Sequence, residues 1–160
     1  MADRIDQLFQ EWHRLGGAVL VAEAAETLPV RSPEEVIAES TAHCRESGRL
    51  TWVVLDWLLR HLDEVDEHRL LEKTQQLGDS SVLGVLCDAA CQRTPHPKLQ
   101  RLMSAYNPHS RLSPFFHRAA QSPLASRLAQ ENSLDVFRRW NYLCAELRYL
   151  QDESVQKELL

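Results

Sequence analysis

Residues 50–63 constrain the fold of this 160-residue chain more than any other segment, because they form its most hydrophobic stretch. On a helical projection of about 100° per residue, Asp56, Arg60 and Asp63 fall within an arc of about 60°, and apolar residues fill most of the rest. A helix that is apolar on nearly every side belongs at the centre of a fold. A buried parallel strand over residues 52–55 is the alternative, but the run is too long and its polar residues are helically spaced.

The remainder of the chain also shows the helical period, since apolar residues recur at intervals of three and four. Glycine occurs only five times, and no strand-length stretch alternates β-branched with polar residues. Helices are predicted over residues 5–15, 18–28, 33–47, 50–63, 66–77, 80–92 and 95–106, with a short one after Ser122-Pro123 and a last one from Ser133. The last helix is predicted to carry an apolar side formed by Val136, Trp140, Leu143, Leu147 and Leu150.

Local signals mark several of these helix ends. Ser32-Pro33-Glu34-Glu35 is a capping box, in which the serine accepts from a free backbone amide and the proline fits the first turn. Gly16-Gly17 should end the first helix, and Gly48 should end the helix over residues 33–47. Residues 107–116 are predicted to be irregular, because two prolines interrupt the backbone there.

These elements predict an all-α domain of about eight short helices. A compact bundle is favoured over a solenoid, because no repeat of fixed period is found. Proline-rich punctuation begins at Thr94, close to a reversal of charge, so residues 1–92 are expected to form an acidic helical subdomain and residues 93–160 a basic one. A single continuous domain remains open as an alternative.

The charge reversal is the main functional signal. Residues 1–90 contain eight Lys/Arg and 17 Asp/Glu, a balance of −9, whereas residues 91–150 contain nine and three, a balance of +6, in a chain of net charge −5. Residues 89–130 include no Asp or Glu at all. Such asymmetry creates a long-range field and suggests an anionic partner for the basic half.

The basic half provides the candidate binding residues. Arginine and exposed aromatic side chains are enriched where proteins meet, and adjacent phenylalanines in an irregular segment are not expected to point inward together. The predicted partner- or anion-binding residues are Arg93, Lys98, Arg101, Arg111, Phe115, Phe116, Arg118 and Arg127. The alternative is that these cations pair with the acidic half of the same chain, and that the phenylalanines anchor a loop.

We therefore expect a non-catalytic helical interaction module, an adaptor or regulator that docks an acidic protein surface or self-associates. A nucleic-acid-binding regulator using the same cations is the second hypothesis, although dedicated DNA-binding domains are usually basic overall. A helix-turn-helix over residues 33–63 is disfavoured, because its second helix would present apolar side chains to the base edges. An enzyme working in a cleft between the subdomains is the third hypothesis.

No cofactor and no metal site is predicted. Cys87 and Cys91 share one helical face and His96 follows, but zinc usually requires a second ligand pair. The histidines at 96, 109 and 117 lack an accompanying nucleophile motif, and Asp56, Arg60 and Asp63 are expected to form the solvent-facing edge of a core helix. The four cysteines form no dense disulfide framework, and neither a secretion signal nor a transmembrane run is found, so we expect a cytoplasmic protein without membrane contacts.

Overall fold

The chain is mostly α-helical, as its sequence predicts. The computed structural model describes residues 3–19, 30–117, 123–124, 127 and 133–144. In chain order its elements are α1 (Arg4–Arg14), α2 (Pro33–Thr41), a 3-10 turn (Cys44–Glu46), α3 (Gly48–His61), a second 3-10 turn (Leu62–Glu64), α4 (Glu67–Leu77), α5 (Ser80–Arg93), α6 (Pro97–Ala105), β1 (Ser113–Pro114), α7 (Asp135–Arg139) and β2 (Tyr142–Leu143). Among the described residues, no helix is both long enough and apolar enough to cross a membrane.

Helix α3 lies at the centre of the molecule and packs against α1, α2 and α5. Its residues Leu50, Val53 and Leu58 are completely buried. Arg60 on its polar edge is exposed, and its guanidinium is 2.7 Å from the Asp56 carboxylate. The prediction of a core helix with one solvent-facing edge is confirmed.

Polar side chains fix the helix starts by accepting hydrogen bonds from backbone amides that would otherwise have no partner. Ser32 accepts from the amide of Glu35, as the predicted capping box requires, and its hydroxyl, rather than its backbone amide, donates to the Glu35 carboxylate. Asp66 caps α4 and Asp79 caps α5 in the same manner.

The predicted end of the helix over residues 33–47 is wrong. Helix α2 ends at Thr41 rather than Ser47, and Gly48 begins α3 instead of terminating a helix. Ser47 has an extended backbone, and its hydroxyl accepts from the amide of Leu50, which makes it the cap of α3. The Thr41 hydroxyl donates to Ala38 O and accepts from the Asp79 amide, which ties the end of α2 to the start of α5.

The long helix predicted from Ser133 is also wrong. Helix α7 ends at Arg139, because Asn141 adopts the left-handed conformation with φ of 62° and its side chain donates to His109 O, 2.7 Å away. Beyond that turn β2 pairs in parallel with β1. Leu147, Leu150 and most of the helices predicted over residues 18–28 and after Ser122 lie outside the described residues.

One hydrophobic core contains side chains from both sides of residue 92. Its main cross-link is Asp88 on α5, a buried carboxylate that accepts from Arg139 Nε at 2.9 Å, from Arg139 Nη2 at 2.8 Å and from Trp140 Nε1 at 2.9 Å. Since no finding separates the chain into units, the division at residue 92 stays a prediction.

A second charged network joins α1 to α2. Arg31 donates to both oxygens of the buried Glu11 at 2.7 and 2.8 Å and to Glu39 Oε1 at 2.8 Å. Arg4 donates to the two oxygens of Glu39 as well. The hydrogen bond from Arg4, followed by that from Arg31, lowers the pKa of Glu39 from 4.5 to about 2.

Replacing Gly84 tests how closely α5 approaches the Trp140 ring. A Cβ at Gly84 would lie 2.7 Å from Trp140 Cε3 and closer still to two further ring atoms. Although alanine is favoured over glycine in a helix by up to about 1 kcal/mol, Gly84→Ala should destabilise the protein by about 1–3 kcal/mol in urea unfolding, because the indole is displaced from Asp88.

The matched test is the same substitution in a Trp140→Leu background, where the ring is absent. There Gly84→Ala should be neutral or stabilising. Equal destabilisation in both backgrounds would contradict the close approach.

The Glu39 network predicts a specific acid dependence of stability. A carboxyl whose pKa is lower in the folded than in the unfolded state stabilises the fold above about pH 4.5, and this contribution disappears as the pH falls towards 2. Since the group is partly exposed and screened, we expect it to contribute about 1–2 kcal/mol. Urea unfolding of Glu39→Gln between about pH 6 and 2.5 should show a correspondingly smaller loss of stability than the wild type.

Glu72→Gln is the control, because Glu72 is exposed on α4 and, among the residues that the structure describes, accepts only one long hydrogen bond of 3.5 Å, from Gln76. It should keep the acid dependence of the wild type. If Glu39→Gln keeps it too, Glu39 does not contribute as described.

Candidate interaction surface

The predicted binding residues do not form one continuous basic face, because part of their charge is neutralised within the chain. Arg101 on α6 donates to Glu67 on α4 through two hydrogen bonds of 3.0 and 2.5 Å. This pairing raises the pKa of Arg101 and lowers that of Glu67. Arg101 is exposed and Glu67 is partly exposed, so the pair reduces the positive potential while adding little to stability.

The other predicted cations differ in their contacts and exposure. Lys98 Nζ donates to Leu62 O at 2.9 Å and so caps the turn that follows α3. Arg93 is half-buried and lines a cavity between α5 and α7. Arg127 is exposed, and Arg118 lies outside the described residues.

Phe115 is completely buried, so it is not the exposed interface aromatic that was expected, and the alternative of a loop anchor describes it. Its centroid lies 4.9 Å from that of Phe116, 5.0 Å from Phe137 and 5.1 Å from Tyr142, with edge-to-face geometry. Phe116 packs against the same core and is only partly buried. Adjacent phenylalanines are therefore accommodated by an edge-to-face pair, and Phe115 anchors the loop from inside.

Residues 107–117, here called the docking loop, are fixed to the last described segment of the chain. The His109 amide donates to Trp140 O at 3.0 Å, and the Asn141 side chain donates back to His109 O. Farther along, the amide of Ser113 donates to Asn141 O at 3.1 Å and that of Phe115 to Leu143 O at 2.9 Å. Backbone bonds thus hold both sides of the loop.

Arg45, from the turn after α2, provides a further anchor for the docking loop by binding two of its backbone carbonyls. It donates from Nε to Phe115 O at 2.9 Å and from Nη2 to Pro114 O at 2.8 Å, and its guanidinium carbon lies 5.0 Å from the centre of the Tyr142 ring. His109 stacks on the same ring at 4.9 Å. Sequence reasoning missed Arg45, because it lies in the acidic half of the chain, 70 residues before Phe115, whose carbonyl accepts from it.

The tip of the docking loop is formed by Arg111 and Leu112. Arg111 is exposed, and its guanidinium has no carboxylate partner among the described residues. Leu112 is 56% exposed and is one of several large apolar side chains that the described residues expose to solvent. A cation and an apolar side chain are therefore presented together on a backbone whose two sides are anchored.

The described part of the chain also includes candidate metal ligands and reactive side chains. No group of three or more His, Cys, Asp or Glu side chains there could hold a metal ion. Burial raises the pKa of the Cys87 thiol to about 12, so it is a poor nucleophile and a poor metal ligand. Asp56 is engaged with Arg60 at the surface.

Compared with protein-family models, with curated proteins and with solved structures, the chain matches none of them.

Removing the Arg45 side chain should loosen the docking loop without unfolding the helices. In Arg45→Ala two carbonyls lose a charged donor, which corresponds to about 1.5–3 kcal/mol if they stay buried. Hydrogen exchange of the Ser113 and Phe115 amides should then accelerate by about tenfold or more.

The internal reference is the exchange of the Val53 and Val54 amides in α3, which should stay within about twofold of the wild type. Unchanged protection at Ser113 and Phe115 would show that Arg45 does not hold the loop.

Proposed function

We propose that the protein is a non-catalytic helical interaction module, an adaptor or regulator that docks an acidic protein surface through the tip of its docking loop. The observation that carries this proposal is the exposed Arg111–Leu112 pair on a loop anchored by Trp140, Asn141, Leu143 and Arg45.

Preorganisation supports a binding role. Ordering a loop when a partner arrives costs free energy, and a loop that is already anchored avoids much of that cost. Arginine is enriched among the residues that dominate binding energies, because its planar guanidinium can bind a carboxylate through two hydrogen bonds. Leu112 adds apolar area beside it.

Charge supports an acidic partner. No Asp or Glu occurs between residues 89 and 130, so nothing within that segment opposes the field of Arg111. At the same time Arg101 is paired with Glu67 and Arg139 with Asp88, so fewer cations are available than the sequence count suggests. A short acidic protein segment suits this reduced surface better than a nucleic acid, which needs several phosphate contacts.

A cytoplasmic location is part of the proposal. The thiols of Cys44, Cys87 and Cys91 are reduced in the structure, which suits a reducing compartment.

The proposal is tested by photo-crosslinking from the loop tip. Ser110 is exposed next to Arg111, so Ser110→p-benzoylphenylalanine presents a photoreactive group while leaving Arg111 and Leu112 intact. Irradiation in cells should yield an adduct with a protein whose crosslinked peptide lies in an Asp- or Glu-rich surface. Adding Arg111→Glu should reduce the adduct about tenfold or more, because a favourable charge pair becomes a repulsive one.

Arg60→Glu is the matched control, since it makes the same charge change at an exposed position on α3 and should retain the adduct. An adduct that is insensitive to Arg111→Glu would contradict the proposed anchor. An adduct that nuclease removes would favour nucleic acid, and an adduct with a second copy of the chain would favour self-association.

A further inference from the structure

The cavity between α5 and α7 has features of a ligand site separate from the docking loop. Its volume is about 390 Å³, within the range of about 300–1,000 Å³ typical of small-molecule pockets. Its apolar wall consists of Ala89, Leu134 and Val136, and its polar groups come from Gln92, Arg93, Asp135 and Arg139.

Arg139 lines this cavity with a guanidinium whose orientation is fixed. Its Nε and Nη2 are both bonded to the buried carboxylate of Asp88, so the guanidinium plane is fixed. Nη1 has no acceptor among the described residues, and the side chain is 47% exposed. A carboxylate entering the cavity would meet a positioned N–H group, and Gln92 offers a second donor.

Asp135 contributes a negative charge to the cavity wall. It is exposed, and its carboxylate has no hydrogen-bond donor among the described residues. The cavity wall therefore carries both signs, with Arg139, which is bonded behind the cavity to Asp88, and Asp135. A purely anionic ligand would be repelled by Asp135 and a purely cationic one by the arginines. The complementary ligand therefore carries both signs and an apolar body.

We propose that the α5–α7 cavity binds a small zwitterion with an apolar side chain, an aliphatic or aromatic α-amino acid. Its carboxylate binds Arg139 with help from Gln92, its ammonium group binds Asp135, and its side chain packs on Leu134 and Val136. This proposal does not depend on the docking loop, because none of the cavity residues belongs to it.

Chemical-shift titration of the full ¹⁵N-labelled chain tests the proposal, with L-leucine and L-phenylalanine as probes. The amides of Ala89, Arg93 and Val136 should shift saturably below about 20 mM of at least one amino acid. The truncated probes 4-methylpentanoate, which lacks the ammonium group, and 3-methylbutylamine, which lacks the carboxylate, should bind at least about tenfold more weakly than L-leucine.

Two surface variants locate the site without disturbing the core. Gln92→Trp places a bulky ring at the rim and should abolish saturable binding. Asp135→Asn should weaken amino-acid binding about tenfold, because the ammonium group loses its partner, and should strengthen the binding of 4-methylpentanoate, because the repelling carboxylate is gone. Arg60→Gln, remote on α3, should bind as the wild type does.

The amide spectrum of each variant serves as its folding control. Absence of shifts with both amino acids, equal binding of the truncated probes, or binding that survives Gln92→Trp would each overturn the proposal. None of these outcomes affects the crosslinking test of the docking loop.

Discussion

The buried carboxylate of Asp88 is the interaction on which the C-terminal part of the structure depends. It accepts three hydrogen bonds from two neighbouring residues, Arg139 and Trp140, that lie about 50 positions later in the chain. A buried charge is tolerated only when it is paired and hydrogen-bonded. Removing either donor would leave the buried carboxylate of Asp88 incompletely paired and would destabilise the fold strongly. The glycine at position 84 provides the space into which the Trp140 ring fits.

The docking loop depends on that clamp. Once Trp140 is held, its carbonyl accepts from His109, and Asn141 can turn the backbone so that β2 lies beside β1. Tyr142 then packs between His109, Phe115 and Arg45, and its hydroxyl lies 2.6 Å from that of Ser81 at the start of α5. The position of the exposed pair Arg111 and Leu112 thus depends on a chain of contacts that begins at α5.

The helices could be predicted from the sequence, because periodicity and capping are local signals. The start of α2 at Ser32 and the burial of α3 follow from residues within a few positions of each other. The end of α2 could not be predicted, because Gly48 suits either a helix end or a helix start and the choice depends on Ser47. Helix α7 is short because Asn141 bonds to His109, 32 residues away, and no local signal carries that contact.

The candidate site was only partly predictable for the same reason. Arg111 is exposed, and its charge can be read directly from the sequence, but its role as a binding residue stays a prediction. The pairing of Arg101 with Glu67 spans 34 residues, and the anchoring of Phe115 by Arg45 spans 70, so neither is visible in a linear count of charges. Net charge over a segment predicts the sign of its field but not how much of that field remains after folding.

Backbone order parameters of Arg111 and Leu112 from ¹⁵N relaxation test the central claim most directly, because docking through this loop requires an exposed tip on a rigid frame. We expect values near 0.8, close to the roughly 0.85 of a rigid backbone and to those measured in α3 and α5 of the same sample. Values below about 0.6 at these two residues, with rigid helices, would show that the anchors do not order the tip and would contradict the account.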